Sequence, residues 1–564
     1  MTLTRRVALR AGVLSAGALL TGCATPKETT GSAANVARPI AEDLAGRKPV
    51  PSFQLLTKVA SEDPSRYEQS RLIVEAWQDA GIPVELTAIR GAELTARTFT
   101  GKDFDVSVTT YDPTAERLDP DNFLSRFYSA NATAEGSNLS QYANEDYDKL
   151  YEAQRGAIDE SERMRLVAQA QQMLYQQQPA RPIVHMLIGG AYRSDRWDRV
   201  TKAAGSPVAN IWNLLSATPK TPRRGLVLGT TFEPPSLNPV SVEVSEAQIP
   251  LSYIYDSLVR IGRTGAVEPW AATKVAVDGA RITAKIRTGM RFSDGNPVMP
   301  GDVAFTIDYL KKQESPLFAS KLEIVSSVEV DGDAVVITLT APSASFVPVV
   351  LTQLPILPRH VWEKVSDAAR YANDEPVGSG PLTFGSRRLG DQLVYTANRQ
   401  HFAAPKVDSV TFAVLGSLEA EIGALESGEI DMLGDFMSAT LLKKLAATDG
   451  VEVMSVESHG WVGLHYNVSR KPFDDRHFRR ALSFLVPSQD IIDVVFEGEG
   501  NSAGSVIAPS TKWYDKPLKA FPTSQKTAMA ELRKGGYAFG EDDRLYFPSS
   551  STDRRIYDSK QAGS

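Results

Sequence analysis

The chain has 564 residues, 42% hydrophobic and 23% charged. That composition is globular, and the length exceeds one ordinary core, so two or three lobes are expected. The formal net charge is −7 and the 61 Lys and Arg residues are scattered, which leaves no electrostatic footprint for nucleic acid. Cys23 is the single cysteine, which excludes an internal disulfide and a thiolate metal cluster.

The chain opens with a basic stretch, MTLTRRVALR, then an uncharged apolar run, AGVLSAGALL, too short to span a bilayer. This pattern reads as a secretory signal over residues 1–23. The pair Arg5 and Arg6 resembles a twin-arginine export signal, with general secretion the equal alternative. Leu20-Thr21-Gly22-Cys23 resembles a bacterial lipobox, which implies lipidation at Cys23 and a membrane anchor. Residues 24–50 are small and polar and are expected to form a flexible tether. No other run is apolar for the roughly 18 to 20 positions of a membrane span.

FQLLTKV from Phe53 predicts a strand, Leu72, Ile73, Ala76 and Trp77 mark a helix ending at Gly81, and VELTAI from Val84 predicts a second strand. Strand, helix, strand implies a parallel α/β unit. A further strand ending at Val108 opens into TTYDPTAERLDPDNFL, the kind of loop where α/β sheets hold ligands. Residues 146–174 predict two helices, and residues 183–187 a strand. After a basic, proline-bearing connector comes RGLVLGTTFEPPSLNP, a buried strand and then a loop. ARITAKIRTGMRFSDGNPV alternates and predicts a hairpin turning at Asp294 and Gly295, and VSSVEVDGDAVVITL a hairpin turning at Asp331 and Gly332. Helices are expected over 301–312, 419–426, 476–485 and 490–496, and strands over 430–433 and 463–467.

RGLVLGTTFEPPSLNP, YDSLVR, MRFSDGNPVMPGDVAFTIDYLKK, EPVGSGPLTF, ALESGEIDML and YNVSRKPFDDRHFRRALSF resemble, in order, segments of the peptide- and nickel-binding (family 5) solute-binding proteins of ABC importers. FQLLTKV, AWQDAGIPVEL, TTYDPTAERLDPDNFL and PARPIVHML resemble that family's last third, here placed first. The resemblance therefore implies a circularly permuted member. It implies an α/β, periplasmic-binding-protein-like two-lobe (type II) fold with an extra α+β lobe. One lobe would be 51–180 plus 465–548, the second 181–265 plus 379–464, and the extra lobe 266–378, with residues 549–564 a disordered tail. The expected activity is non-catalytic capture of a peptide or similar small solute at the outer face of the membrane or in the periplasm. The partners would be permease subunits, and the protein would be a monomer without cofactor or metal.

Hinge closure needs flexible crossings, expected at Gly378, Ser379 and Gly380 and around His465 and Tyr466. The resemblance places a carboxylate for a ligand's ammonium at Asp112, beside Tyr111 and Thr110, although no tryptophan precedes it and Pro113 follows; an Asx-turn is the structural alternative. Phe318 matches a segment whose aromatic ring faces the cleft, with a core position as the alternative. Gly500-Asn501-Ser502-Ala503-Gly504 matches G-x-S-x-G, but a helix is expected before it and a strand after, the reverse of a nucleophile elbow. The six histidines show no H-E-x-x-H spacing, so structural roles are the default and nickel binding a minor alternative. A surface sensor or adhesion protein of the same fold is the alternative function.

Overall fold

The computed structural model describes residues 38–41, 44–113, 115–134, 136–242, 245–435 and 437–549. The signal segment with Arg5, Arg6 and Cys23, the first part of the tether and residues 550–564 lie outside the described residues.

Strand β1 (Phe53–Lys58), helix α1 (Pro64–Asp79) and β2 (Val84–Ile89) form the expected parallel unit, with β1 paired in parallel to β2 and to β3 (Val106–Thr110). Asp63 caps α1 by accepting from the Arg66 amide, Pro64 sits at its first position, and Trp77 is fully buried beneath it. Helices α2 (Glu145–Gly156) and α3 (Glu160–Gln177) begin at side-chain caps from Asn144 and Asp159. The next strand, β4 (Ala180–Arg193), is fourteen residues long, far beyond the five residues expected.

β5 (Gly225–Thr230) lies between β8 (Ser409–Val414) and β9 (Met432–Leu433), with β6 (Leu382–Arg388) and β7 (Gln392–Ala397) completing that edge. With β10 (Val451–Glu457) and β11 (Val462–Tyr466), the strand order along the main sheet is β6-β7-β8-β5-β9-β4-β11-β3-β1-β2, and β10 pairs with β4.

A separate antiparallel sheet, in the order Ala272–Asp278, Arg281–Ile286, Ala334–Leu339 and Val325–Asp331, packs with the helix Pro300–Lys312. The hairpin around Gly332 forms as expected. The alternating run, however, turns back at Gly279, where φ is +57°, and pairs with the strand before it; Asp294 and Gly295 make only a small local turn. The preceding residues 272–278 supplied the partner that the alternation alone did not identify.

The tether reading needs correction at its end. The Arg38 guanidinium stacks over the Phe539 ring at 5.1 Å, the Ala41 amide donates to the Phe539 carbonyl, the Val50 amide to Leu545, and the Phe547 amide to Lys48. Val50 is buried. Backbone groups gain partners there, so the described residues 38–41 and 44–50 are tied to the body of the chain although they are poor in large apolar residues.

Candidate functional site: a cleft at the crossing of two half-sheets

Two segments pass between the halves of the main sheet. β4 runs through both, its residues 180–184 pairing with β11 and its residues 187–193 with β10. The other passage is residues 458–461, which join β10 to β11. The hinge residues expected from sequence sit elsewhere. His465 and Tyr466 lie fully buried inside β11. Gly378 and Gly380 pack backbone to backbone on Ile254 and Tyr253, with the Gly380 amide donating to the Ile254 carbonyl at 2.6 Å, and buried Ser379 sits between them. That junction precedes β6 and follows the stretch that carries the separate antiparallel sheet.

His465 instead belongs to a buried relay. The Ser140 hydroxyl donates to the Pro179 carbonyl at 2.8 Å, so its oxygen accepts from Nδ1–H of His465 at 2.9 Å. Nε2 is then the acceptor for the Tyr111 hydroxyl at 3.0 Å. Tyr111 is further held by Trp461, whose ring centroid lies 4.8 Å away, and by Arg126, whose guanidinium stands 4.7 Å over its ring. Tyr111 is therefore an anchor under the loop rather than a free cleft contact. Thr110, half-buried at the end of β3, pairs with Val462.

Asp112 follows, exposed, and its carbonyl accepts from Arg117. Its loop meets the passage directly: a Cβ on Gly460 would collide with the Tyr111 carbonyl, and one on Gly205 would lie 2.8 Å from the His459 ring and 3.1 Å from the Pro113 carbonyl. The tryptophan beside Tyr111 is Trp461, which reaches it from the passage before β11, some 350 residues later in the chain. Phe318 is fully buried in the large apolar core, so the cleft-facing reading of its ring is corrected to packing.

Beside this loop opens a cleft of about 620 Å³. Leu118, Asp119, Ile158, Arg163 and residues 510–513 line one side, Val259, Ile261, Val267, Val275 and Val347 the other, and His459 also lines it. Asp112 borders the cleft without lining it. The sides touch where the Ala344 amide donates to the Arg155 carbonyl at 2.7 Å.

Histidines surround the passages. His185, in β4, faces the carbonyls of Gly460 at 2.9 Å and Ser505 at 3.2 Å. Burial, outweighing both carbonyls, pushes its pKa down to about 4. Burial and the neighbouring His185 push His459 down to about 4, and burial with the charges of Arg126 and Lys102 pushes His465 down to about 3. All three are neutral near pH 7, and His459 Nε2 is buried without a hydrogen-bond partner. At the ends of β5 and β9, Glu421 accepts from the amides of Gly434 and Asp435; burial and then the Asp435 charge push its carboxyl up to about 8. Among the described residues no cluster of three or more His, Cys, Asp or Glu side chains is arranged to hold a metal. Gly500–Ser502 forms a short strand on β4 with no helix directly after it, so the G-x-S-x-G match lacks the elbow geometry.

The family model described as "Bacterial extracellular solute-binding proteins, family 5 Middle" matches residues 266–561. Protein XP55 of Streptomyces lividans is 30% identical over 365 residues, covering 60% of this chain and 65% of its own length. The oligopeptide-binding protein AppA of Bacillus subtilis is 27% identical over 268 residues, covering 46% and 49%. The chain thus spans two thirds or less of the length of these curated relatives. The solved structure of AppA with a nonapeptide matches at 25% identity and a TM-score of 0.46, covering 56% of this chain and 65% of that one.

Proposed function

This chain belongs to the bacterial extracellular solute-binding proteins of family 5, and from that premise we propose that it is the receptor of an ABC importer for peptides or similar small organic solutes. The observation that carries the reading is the cleft, which reaches the 458–461 passage at His459, together with the two passages that would let the halves close over a solute by hinge motion. The names of AppA and of the Escherichia coli dipeptide-binding protein, 24% identical over 316 residues, favour peptides. The lipobox at Cys23 favours a lipid anchor at the outer face of the membrane or in the periplasm, and permease subunits are the proposed partners of a monomeric receptor.

Asp112 is proposed to hold the ligand's ammonium, because the relay through Tyr111 fixes its loop beside the cleft. Native mass spectrometry of the gently purified protein should reveal bound peptides, and in calorimetry Asp112→Ala should weaken a free-amino peptide about tenfold or more while leaving its N-acetylated form unchanged. Equal affinity of wild type and variant would remove Asp112 from the site. Absence of any bound solute together with no compaction in small-angle scattering would favour the sensor or adhesion reading.

We further propose that the segment order is a circular permutation, opened between residues 548 and 51 and joined across residues 216–224. Three features support this. The segments resembling the family's last third come first. Residues 48–50 pair with residues 545–547, so the two break points lie side by side, the condition under which a chain can be reopened. The match to XP55 covers 60% of this chain and 65% of that protein, so a substantial part of each lies outside it, as a changed segment order would leave. A gene rebuilt in family order, 225–548 followed by 51–216, should give a folded protein of the same solute affinity, its urea midpoint lowered only by loss of the contacts of residues 38–50 with 539–547; failure to fold would count against a simple permutation.

A further inference from the structure

The cleft's walls differ in chemistry. The side formed by the extra lobe and its flank presents Ile261, Val267, Val275, Val277, Val347 and Pro348, with no charged side chain among them. Val275 and Val277 stand two apart on one strand and so share a face. Across the gap, Leu118, Ile158 and Trp513 alternate with four charged side chains, Asp119, Glu160, Arg163 and Lys512.

Those four charges are satisfied within their own wall. Arg163 donates two bonds to Asp119 at 2.7 and 2.8 Å, a fork-on-fork pair with both side chains nearly fully buried, and Lys512 pairs with Glu160. Arg163 and Lys512 also stand 4.8 and 4.9 Å from the Trp513 ring. A solute carrying a charge into this space would meet apolar side chains on one side and, on the other, a buried ion pair beside a half-exposed one, and would lose hydration for little compensation. An apolar group would instead cover surface otherwise left facing water: Ile158 is 38% exposed and Val267 37%.

Resting on the solute-receptor reading, we infer that this cleft is a side-chain compartment selecting solutes with a bulky uncharged apolar group, leucine-like or aromatic, over charged ones. Ile158 on one wall and Val267 on the other set that preference. Both are sufficiently exposed that replacement leaves the core intact.

The test uses the purified full chain and two kinds of probe. By calorimetry, trileucine should bind about tenfold or more tightly than trilysine or triglutamate, the ratio that burial of one such side chain supports. Ile158→Lys and Val267→Glu should each remove most of the difference while the urea midpoint stays near that of wild type. N-phenyl-1-naphthylamine, an uncharged fluorophore, should brighten with wild type and much less with the variants. If no tripeptide binds but the fluorophore signal is present and lost in both variants, the peptide reading falls and the apolar compartment stands. Equal affinity for the three tripeptides, a preference for a charged one, or a fluorophore signal that is absent or insensitive to both substitutions overturns the inference.

Discussion

Acidification from pH 7 to 4.5 is expected to destabilise the fold by several kcal/mol, through His185, His459 and His465. In the unfolded chain each would take up its proton as the pH falls through about 6.5. In the fold, burial holds them down to about 4, about 4 and about 3, so they stay neutral across that range. The unfolded state therefore binds more protons between those limits, and stability is lost as the pH falls. Each unit of difference is worth about 1.4 kcal/mol. Glu421 acts in the opposite sense. Raised to about 8, it is protonated in the fold but ionised in the unfolded chain between about 4.5 and 8, so acidification relieves that cost. One carboxyl does not offset three imidazoles. Urea midpoints should hold or rise slightly from pH 8 to 6.5 and then decline steadily towards pH 4.5. A flat profile below pH 6.5 would show that these rings are not held neutral. Since His185 and His459 lie on the two passages and His465 follows in β11, the loosening should begin at the crossing.

Gly460→Ala should be nearly as damaging, by about 3 kcal/mol, at the upper end of overpacking costs. The obstacle is backbone: the new methyl would overlap the Tyr111 carbonyl and lie 3.0 Å from that of Asp112, and neither can rotate away as a side-chain tip would. The Tyr111 amide is bonded to the Trp461 carbonyl at 2.9 Å and the Gly460 carbonyl faces His185, so relief in one direction strains another bond. Gly498→Ala is the comparison. No atom lies within 4 Å of the added methyl there, and its cost is only that of φ at +81°. Thermal unfolding of the two variants should separate them clearly, and similar losses in both would mean that the close approach at Gly460 is not limiting.

The elements legible from sequence were those whose periodicity and caps agree. α1 has Asp63 as its cap, Pro64 at its first position and Gly81 after it, and the helix Pro300–Lys312 likewise starts with a proline. β4 extends past the apolar run 183–187 on both sides; Gly189 and Gly190 remain in the ladder with β10 and accommodate Leu442 and Val208, partners that local pattern does not reveal. Phe318 could not be assigned, since an aromatic ring has the same local signature in a core and in a cleft. The crossing was displaced because the glycines at 378 and 380 signal close backbone packing as readily as motion. The contact of Trp461 with Tyr111 and the self-pairing of the cleft's charges depend on residues hundreds of positions apart, which local pattern does not reveal.

The unequal nature of the two passages has a mechanical consequence. A strand bonded on both flanks resists in-plane bending but yields to twist about its long axis, as sheets do naturally. β4 is therefore a continuous ladder-bonded link common to both halves, while residues 458–461 are a short link outside the ladder, held by packing on Tyr111 and His185. Any twist of one half against the other about the line of β4 would leave groups near that axis almost in place and carry those at the outer edges of the sheet, β2 and β6, through the longest arcs.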